Sequence, residues 1–336
     1  MGLHAVSLTD PRVRRLGRAA LLTDGLAFDW SLSGLELAVR GTRVEATITS
    51  SVTDDIRCAY VAVDINGRRT AKFRLNAGTA VYTLADNLPA DRVTLLRLRK
   101  LSEASFSWAT LNLLETDGDL GALPPARPKT LEIIGDSISA GYGILARGAD
   151  EPFRAETEDA ACTYGALLAD RLNAELLLTA ISGCGVCRNN DGSAHDTMIE
   201  QYDRLRPAAD PLLRWDHRQV CPDVILCNLG TNDNAAKAPH GELQAAVIRL
   251  IDRLHSLHPQ AKMLWTYGLM NQEYGHTLRT AVEQAAAEYP VQFLLLPPQQ
   301  NFSETLGSDG HPSRETHARA AEYILPYLRP LFADTP

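Results

Sequence analysis

Four short stretches in the second half of the chain carry residue types that could do chemistry together. Ser137 ends Gly135-Asp136-Ser137, directly after the apolar run Leu131-Glu132-Ile133-Ile134. Gly183 lies in Ile181-Ser182-Gly183-Cys184-Gly185, after an apolar run at 176–180, and Asn232 lies in Gly230-Thr231-Asn232-Asp233, after another at 224–229. His311 sits in Ser308-Asp309-Gly310-His311-Pro312-Ser313, just before a helical stretch. A serine hydroxyl is a poor nucleophile until a neighbouring base takes its proton, and His311 is the candidate base. Attack on a carbonyl puts negative charge on its oxygen. The N–H groups of Ser137 and Gly183 and the side-chain amide of Asn232 are the candidate donors to it, each worth roughly 10²–10³ in rate. Glycine at 183 lets backbone approach with no side chain in the way. Asp309, two residues before the histidine, is the candidate third member that orients the imidazole, with a backbone carbonyl as the alternative. Taken alone, Gly-Asp-Ser reads equally well as a strand-to-helix turn with a capping serine. The coincidence of four such stretches is what points to chemistry.

Those residues need a scaffold that brings strand ends together. From residue 130 short apolar runs at 131–134, 176–180, 224–229, 263–267 and 293–296 alternate with helical stretches. Leu243, Val247, Leu250, Ile251, Leu254 and Leu257 fall on one helical face, as do Tyr164, Leu167, Leu168 and Leu172. A last helix is expected from about 314 to 328. Five strands alternating with helices imply a parallel sheet covered on both faces, an α/β/α domain. In such a sheet ligands bind beyond the C-terminal strand ends, which is where all four stretches fall.

The first part of the chain reads differently. Apolar and polar residues alternate at 35–40 and 44–49, and residues 60–65 and 68–75 flank Asn66-Gly67, a strong hairpin signal. Further strands are expected at 80–84, 93–98 and 106–114. Seven or more short strands predict an all-β, jelly-roll-like sandwich over residues 1–121. Residues 122–129 hold three prolines and read as a linker, leaving 130–336 as the catalytic domain.

With these residues in hand, the sequence resembles the SGNH (GDSL-type) hydrolase superfamily, whose four marker residues correspond to Ser137, Gly183, Asn232 and His311. The resemblance extends to Asp10-Pro-Arg-Val-Arg-Arg-Leu-Gly-Arg18 and Phe28-Asp-Trp30 in the β-domain. It includes Gly-Tyr-Gly143 after the nucleophile and Gly185-Val-Cys-Arg-Asn189 after the second stretch. This pattern looks like carbohydrate esterase family 2, of the acetylxylan esterase type. The resemblance implies a jelly-roll domain followed by an SGNH domain, a serine esterase that removes O-acetyl groups from plant polysaccharide, and no cofactor. The superfamily usually has its acid three residues before the histidine, where this chain has Ser308, and family 2 shares the shorter spacing that points to Asp309.

Other residues are weighed against blander roles. Tyr142, Arg188, Asn189 and Trp215 are candidate substrate-binding residues, with Trp215 the stacking candidate because its surroundings are polar. Trp30 and Trp265 read as core. Asp136 and Asp233 read as loop-holding residues, and His255 and His258 as solvated. Cys184 and Cys187 form a C-x-x-C without a second pair, so no zinc or other metal site is expected. A net charge of −8 without a basic run argues against nucleic acid or an anionic membrane as partner. No stretch is long and apolar enough to span a membrane, no signal core is seen, and the chain as given reads as cytoplasmic. The expected partner is an acetylated oligo- or polysaccharide. The alternatives are a general short-chain esterase, a sugar O-acyltransferase, or a non-catalytic carbohydrate-binding protein on the same fold.

Overall fold

The computed structural model describes residues 2–333; Met1 and residues 334–336, the outer ends of the two expected domains, lie outside them. The chain divides into two compact units. The first holds the residues up to Ala126 together with Leu205–Leu213, and the second runs from Arg127 to Arg204 and from Arg214 onward.

The first unit consists of two antiparallel sheets of six strands each. In one, the order is Ala20–Leu22, Gly25–Ala27, Ala109–Thr116, Val44–Ser50 and Gly78–Ala85, with His4–Val6 also on Ala109–Thr116. In the other, it is Asp119–Leu120, Gly34–Arg40, Thr94–Lys100, Tyr60–Ile65 and Arg68–Arg74, with Val13–Leu16 beside Gly34–Arg40. Alternation does the work: Val44, Ala46 and Ile48 are buried while the residues between them are partly exposed. Leu35, Leu37, Val61, Val63, Leu96, Leu98 and Leu111 complete the core. Asn66 and Gly67 both have positive φ (49° and 78°), which matches the right-handed twist of the hairpin they close. The seven expected strands are present. The five others, His4–Val6, Val13–Leu16, Ala20–Leu22, Gly25–Ala27 and Asp119–Leu120, have four residues at most, too few to show a period.

The segment Leu205–Leu213 departs from the expected division, which placed it in the catalytic domain. It belongs to a hairpin of Arg204–Arg206 and Asp210–Arg214. The physical reason is Arg206. Its guanidinium donates to both Asp29 oxygens (2.9 and 3.2 Å) and to Thr110 Oγ1 (3.1 Å), and lies 5.1 Å from the centre of the Trp108 ring. Asp29 is fully buried, so burial pushes its pKa up while Arg206 opposes that shift.

The second unit is built on a five-stranded parallel sheet in the order Ala174–Ala180, Lys129–Gly135, Val224–Asn228, Lys262–Leu269, Val291–Pro298. Every residue of Val224–Asn228 is buried, as expected for a strand covered on both faces. Helix Tyr164–Leu172 packs with Arg314–Ala333, and His240–Leu257 packs with Gly275–Ala285. The long helix His240–Leu257 buries Leu243, Val247, Leu250, Ile251 and Leu254, one face at helical spacing. The chain starts at Lys129–Gly135, moves to one side, then returns to build the other side from Val224–Asn228. Between the C-terminal ends of these two neighbours the connections diverge, and a crevice opens there.

Candidate active site

Ser137 and Asn232 stand at the two lips of that crevice. Gly135 is in register with Asn228 across the central pair of strands, so the Gly-Asp-Ser turn and the Gly-Thr-Asn-Asp turn leave the sheet side by side. Asp136 caps the short helix Ser137–Ala140 by accepting from the Ile138 N–H at 3.0 Å. As the first helical residue, Ser137 has an N–H with no acceptor inside its helix. The turn is braced from below: Ser139 Oγ lies 2.7 Å from Tyr164 Oη, and the Tyr164 N–H donates to His317 Nδ1 at 3.1 Å. His317 is buried, and burial, then the nearby His311, lowers its pKa to about 3, so it stays neutral.

His311 arrives from a tight turn ahead of the last helix. Its Nε2 lies 2.9 Å from Ser137 Oγ, and its Nδ1 lies 3.1 Å from the carbonyl oxygen of Ser308. A carbonyl only accepts, so Nδ1 carries the hydrogen and Nε2 is left to accept the serine proton. Two glycines bring that carbonyl into place. Gly143 has φ +58°, and a Cβ there would lie 2.3 Å from Ser308 Cβ; Gly307 similarly abuts the Gly143 carbonyl. The Ser308 N–H donates to Gly143 O at 3.2 Å. Burial lowers the pKa of His311, and the Ser308 carbonyl and the charge of Asp309 offset this only in part.

Asp309 is therefore not the group at Nδ1, which corrects its expected place in a triad. Its backbone is left-handed (φ +53°), and its carboxylate accepts instead from the Tyr142 hydroxyl at 2.9 Å. The backbone carbonyl, the alternative orienter, occupies that position.

Gly183 (φ +77°) and Asn232 line the crevice with Ser137 and His311. One hydrogen of the Asn232 amide donates to Cys184 O at 2.9 Å, which fixes the amide and leaves its second hydrogen for a ligand. Next to it, the buried Asp233 carboxylate accepts from the N–H groups of Val186, Cys187 and Arg188 at 2.8, 2.8 and 2.9 Å. It ties down the loop that follows Gly183, the loop-holding role expected of it. The crevice has a volume of about 320 Å³.

The expected substrate-binding set needs correction. Tyr142 lines the crevice, but Phe153 and His311 cover its two faces, so no face is left for a sugar. Arg188 turns away and pairs with Glu242 at 2.7 Å on a separate hollow. Asn189 holds its own loop, accepting from the Gly185 N–H (3.0 Å) and donating to Ser193 Oγ (3.1 Å) and His195 O (2.9 Å). The neighbouring Asn190 lines the crevice in its place. Trp215 is buried in spite of its polar neighbours. His258, expected in solvent, is buried with Nε2 3.1 Å from Tyr202 Oη. Trp30 and Trp265 are core residues. Met270 and Asn271 also line the crevice. They follow the fourth strand, so reading every strand end would have pointed to them. Cys184 and Cys187 are free thiols, and burial, then Asp233, raises Cys187 to about 12, far from a reactive thiolate. Among the described residues no group of three or more His, Cys, Asp or Glu side chains is placed to hold a metal ion.

Both parts of the chain match known families. Residues 133–319 match the GDSL-like lipase/acylhydrolase family, and residues 15–125 match the carbohydrate esterase 2 N-terminal domain. The cellulase/esterase CelE of Acetivibrio thermocellus is 30% identical over 309 residues, which cover 88% of this chain but only 36% of that protein. This chain thus spans little more than a third of that relative's length. An acetylxylan esterase / glucomannan deacetylase of Cellvibrio japonicus is 24% identical over 331 residues, covering 97% of this chain and 90% of that one. A solved family two carbohydrate esterase from Clostridium thermocellum, in complex with cellohexaose, superposes with a TM-score of 0.88 at 27% identity, covering 95% of this chain and 98% of that one.

Proposed function

We propose that this chain, which belongs to the GDSL-like lipase/acylhydrolase family and carries the carbohydrate esterase 2 N-terminal domain, is a serine esterase that removes O-acetyl groups from xylan- or mannan-derived oligosaccharides. The observation that carries this reading is the line from the Ser308 carbonyl through His311 to Ser137 Oγ, at 3.1 and 2.9 Å, opening on a crevice shared with Gly183 and Asn232.

The chemistry follows from that line. Ser137 Oγ attacks the acetyl carbonyl carbon while its proton passes to His311 Nε2. The N–H groups of Ser137 and Gly183 and the second amide hydrogen of Asn232 stabilise the oxyanion. The imidazolium that forms is supported at Nδ1 by the Ser308 carbonyl. It gives its proton to the sugar oxygen as the C–O bond to the acetyl carbon breaks, leaving acetyl-Ser137. Water then attacks the acyl carbon, His311 takes a proton from it, and the proton returns to Ser137 as acetate leaves.

The sugar class is supported by the acetylxylan and glucomannan in the name of the Cellvibrio japonicus relative, and by the cellohexaose bound to the Clostridium thermocellum one. The test is acetate release from acetylated xylose, mannose and glucose oligosaccharides, with Ser137→Ala as control. Release by the native chain and none by the variant is the expected result. Sugar binding with no acetate release from any of them would overturn the reading in favour of a binding protein.

A further inference from the structure

Three rings stand in file beside the nucleophile. The centroids of Phe153 and Tyr142 are 3.9 Å apart with planes 15° from parallel. On its other face Tyr142 meets the His311 imidazole at 4.3 Å and 34°. The Tyr142 N–H donates to Ser137 O at 3.1 Å. One residue is thus tied to the nucleophile's turn through its backbone and to the base through its ring. Its hydroxyl donates to Asp309 Oδ2 at 2.9 Å, and the Asp309 N–H donates to Ala149 O at 3.1 Å, in the loop that also supplies Phe153. The middle ring is held on both faces and at its tip.

The imidazole needs such a hold. A carboxylate at Nδ1 would make a charge-assisted bond, whereas the neutral Ser308 carbonyl makes one about half as strong. A single bond to a carbonyl also restrains the plane of the ring weakly, because hydrogens approach carbonyl oxygens over a broad range of directions. Packing against a fixed aromatic face supplies the missing restraint.

We propose that Tyr142 is a positioning residue for His311, and that the Asp309 carboxylate orients the imidazole through Tyr142 rather than by a hydrogen bond to Nδ1. The proposal rests on the esterase reading for its kinetics, but its geometry can be tested apart from turnover. Tyr142→Leu removes the stack, and Tyr142→Phe keeps the stack but loses the hydroxyl. Asp309→Asn leaves an acceptor without the charge. With an aryl acetate, Tyr142→Leu should lower kcat about 100-fold with KM nearly unchanged, the scale of a misplaced catalytic group. Tyr142→Phe should restore most of that loss. Asp309→Asn should cost no more than Tyr142→Phe, and the double variant Tyr142→Phe/Asp309→Asn no more than either alone. A loss in Asp309→Asn as deep as in His311→Ala would place Asp309 on the imidazole and overturn the proposal. So would a rise in KM alone in Tyr142→Leu, which would make the ring a substrate contact. The second readout is ¹⁵N NMR of the His311 ring in the full chain. The Nδ1–H signal should be protected in the native chain and in Tyr142→Phe, and lost in Tyr142→Leu. An unchanged signal in Tyr142→Leu refutes the positioning role. Absence of ester turnover by the native chain, with this NMR pattern intact, would refute the esterase reading alone.

Discussion

The protonation state of His311 decides whether Ser137 can react. The imidazole must be neutral to take the serine proton, and burial disfavours its charged form, so its pKa lies below the ordinary histidine value. Activity is then present above that lowered pKa and lost as pH falls through it. The acid limb of kcat/KM for an aryl acetate should therefore lie below ~6.5, and a limb above ~7 would contradict the burial argument. Asp309 raises the His311 pKa through its charge and through its backbone, and Asp309→Asn removes the charge alone, so it should move that limb further down. Ser137, Gly183, Asn232 and His311 were legible in the sequence because each follows or precedes a recognisable element. The partner of Nδ1 was not. Spacing alone points to the Asp309 side chain ahead of a backbone carbonyl, and the left-handed turn at Asp309 that decides between them depends on contacts with residues 142–149, far away in sequence.

The elements that hold these residues depend on a few close approaches. The loop after the nucleophile and the loop before the histidine touch at Gly143, where a Cβ would collide with Ser308. Gly143→Ala should displace the Ser308 carbonyl and with it the imidazole. Its kcat is expected to fall about 10- to 100-fold on the scale of small misplacements, while urea unfolding shows a loss of only about 1–2 kcal/mol for an alanine forced to positive φ. Native kcat in this variant would show that the carbonyl does not set the position of His311. The parallel strands and the helices Tyr164–Leu172, His240–Leu257 and Arg314–Ala333 were readable because buried runs and one-sided apolar faces are local patterns. The hairpin Arg204–Arg206/Asp210–Arg214 was not, since Pro207 and Pro211 and its polar residues look like loop and the partners Thr110 and Asp29 of its Arg206 lie 96 and 177 positions earlier. Asn190 was missed beside Asn189 for a related reason. In an irregular loop, neighbours in sequence face different ways, and nothing local says which.

Across the whole chain, the two units are not two consecutive stretches. The first is completed by Leu205–Leu213, and Arg206 is what the buried Asp29 depends on. Arg206→Met should leave that carboxylate buried with the Ala109 N–H but without its charged hydrogen-bond partner, and cost about 3–5 kcal/mol in urea unfolding. Adding Asp29→Asn should recover part of the loss, because the group left behind is then neutral. A cost within about 0.5 kcal/mol, the range of ordinary surface changes, would show that Arg206 does not support the first unit. The proposed esterase activity requires a covalent step at one residue of the second unit, Ser137. That step is tested most directly by mixing the intact chain with an aryl acetate, quenching in acid within the first turnover, and locating any acetyl group by peptide mass spectrometry. The account predicts one acetyl group on the peptide containing Ser137, absent in Ser137→Ala. Rapid release of product with no acetyl group on that peptide, or an acetyl group on another residue, would contradict it.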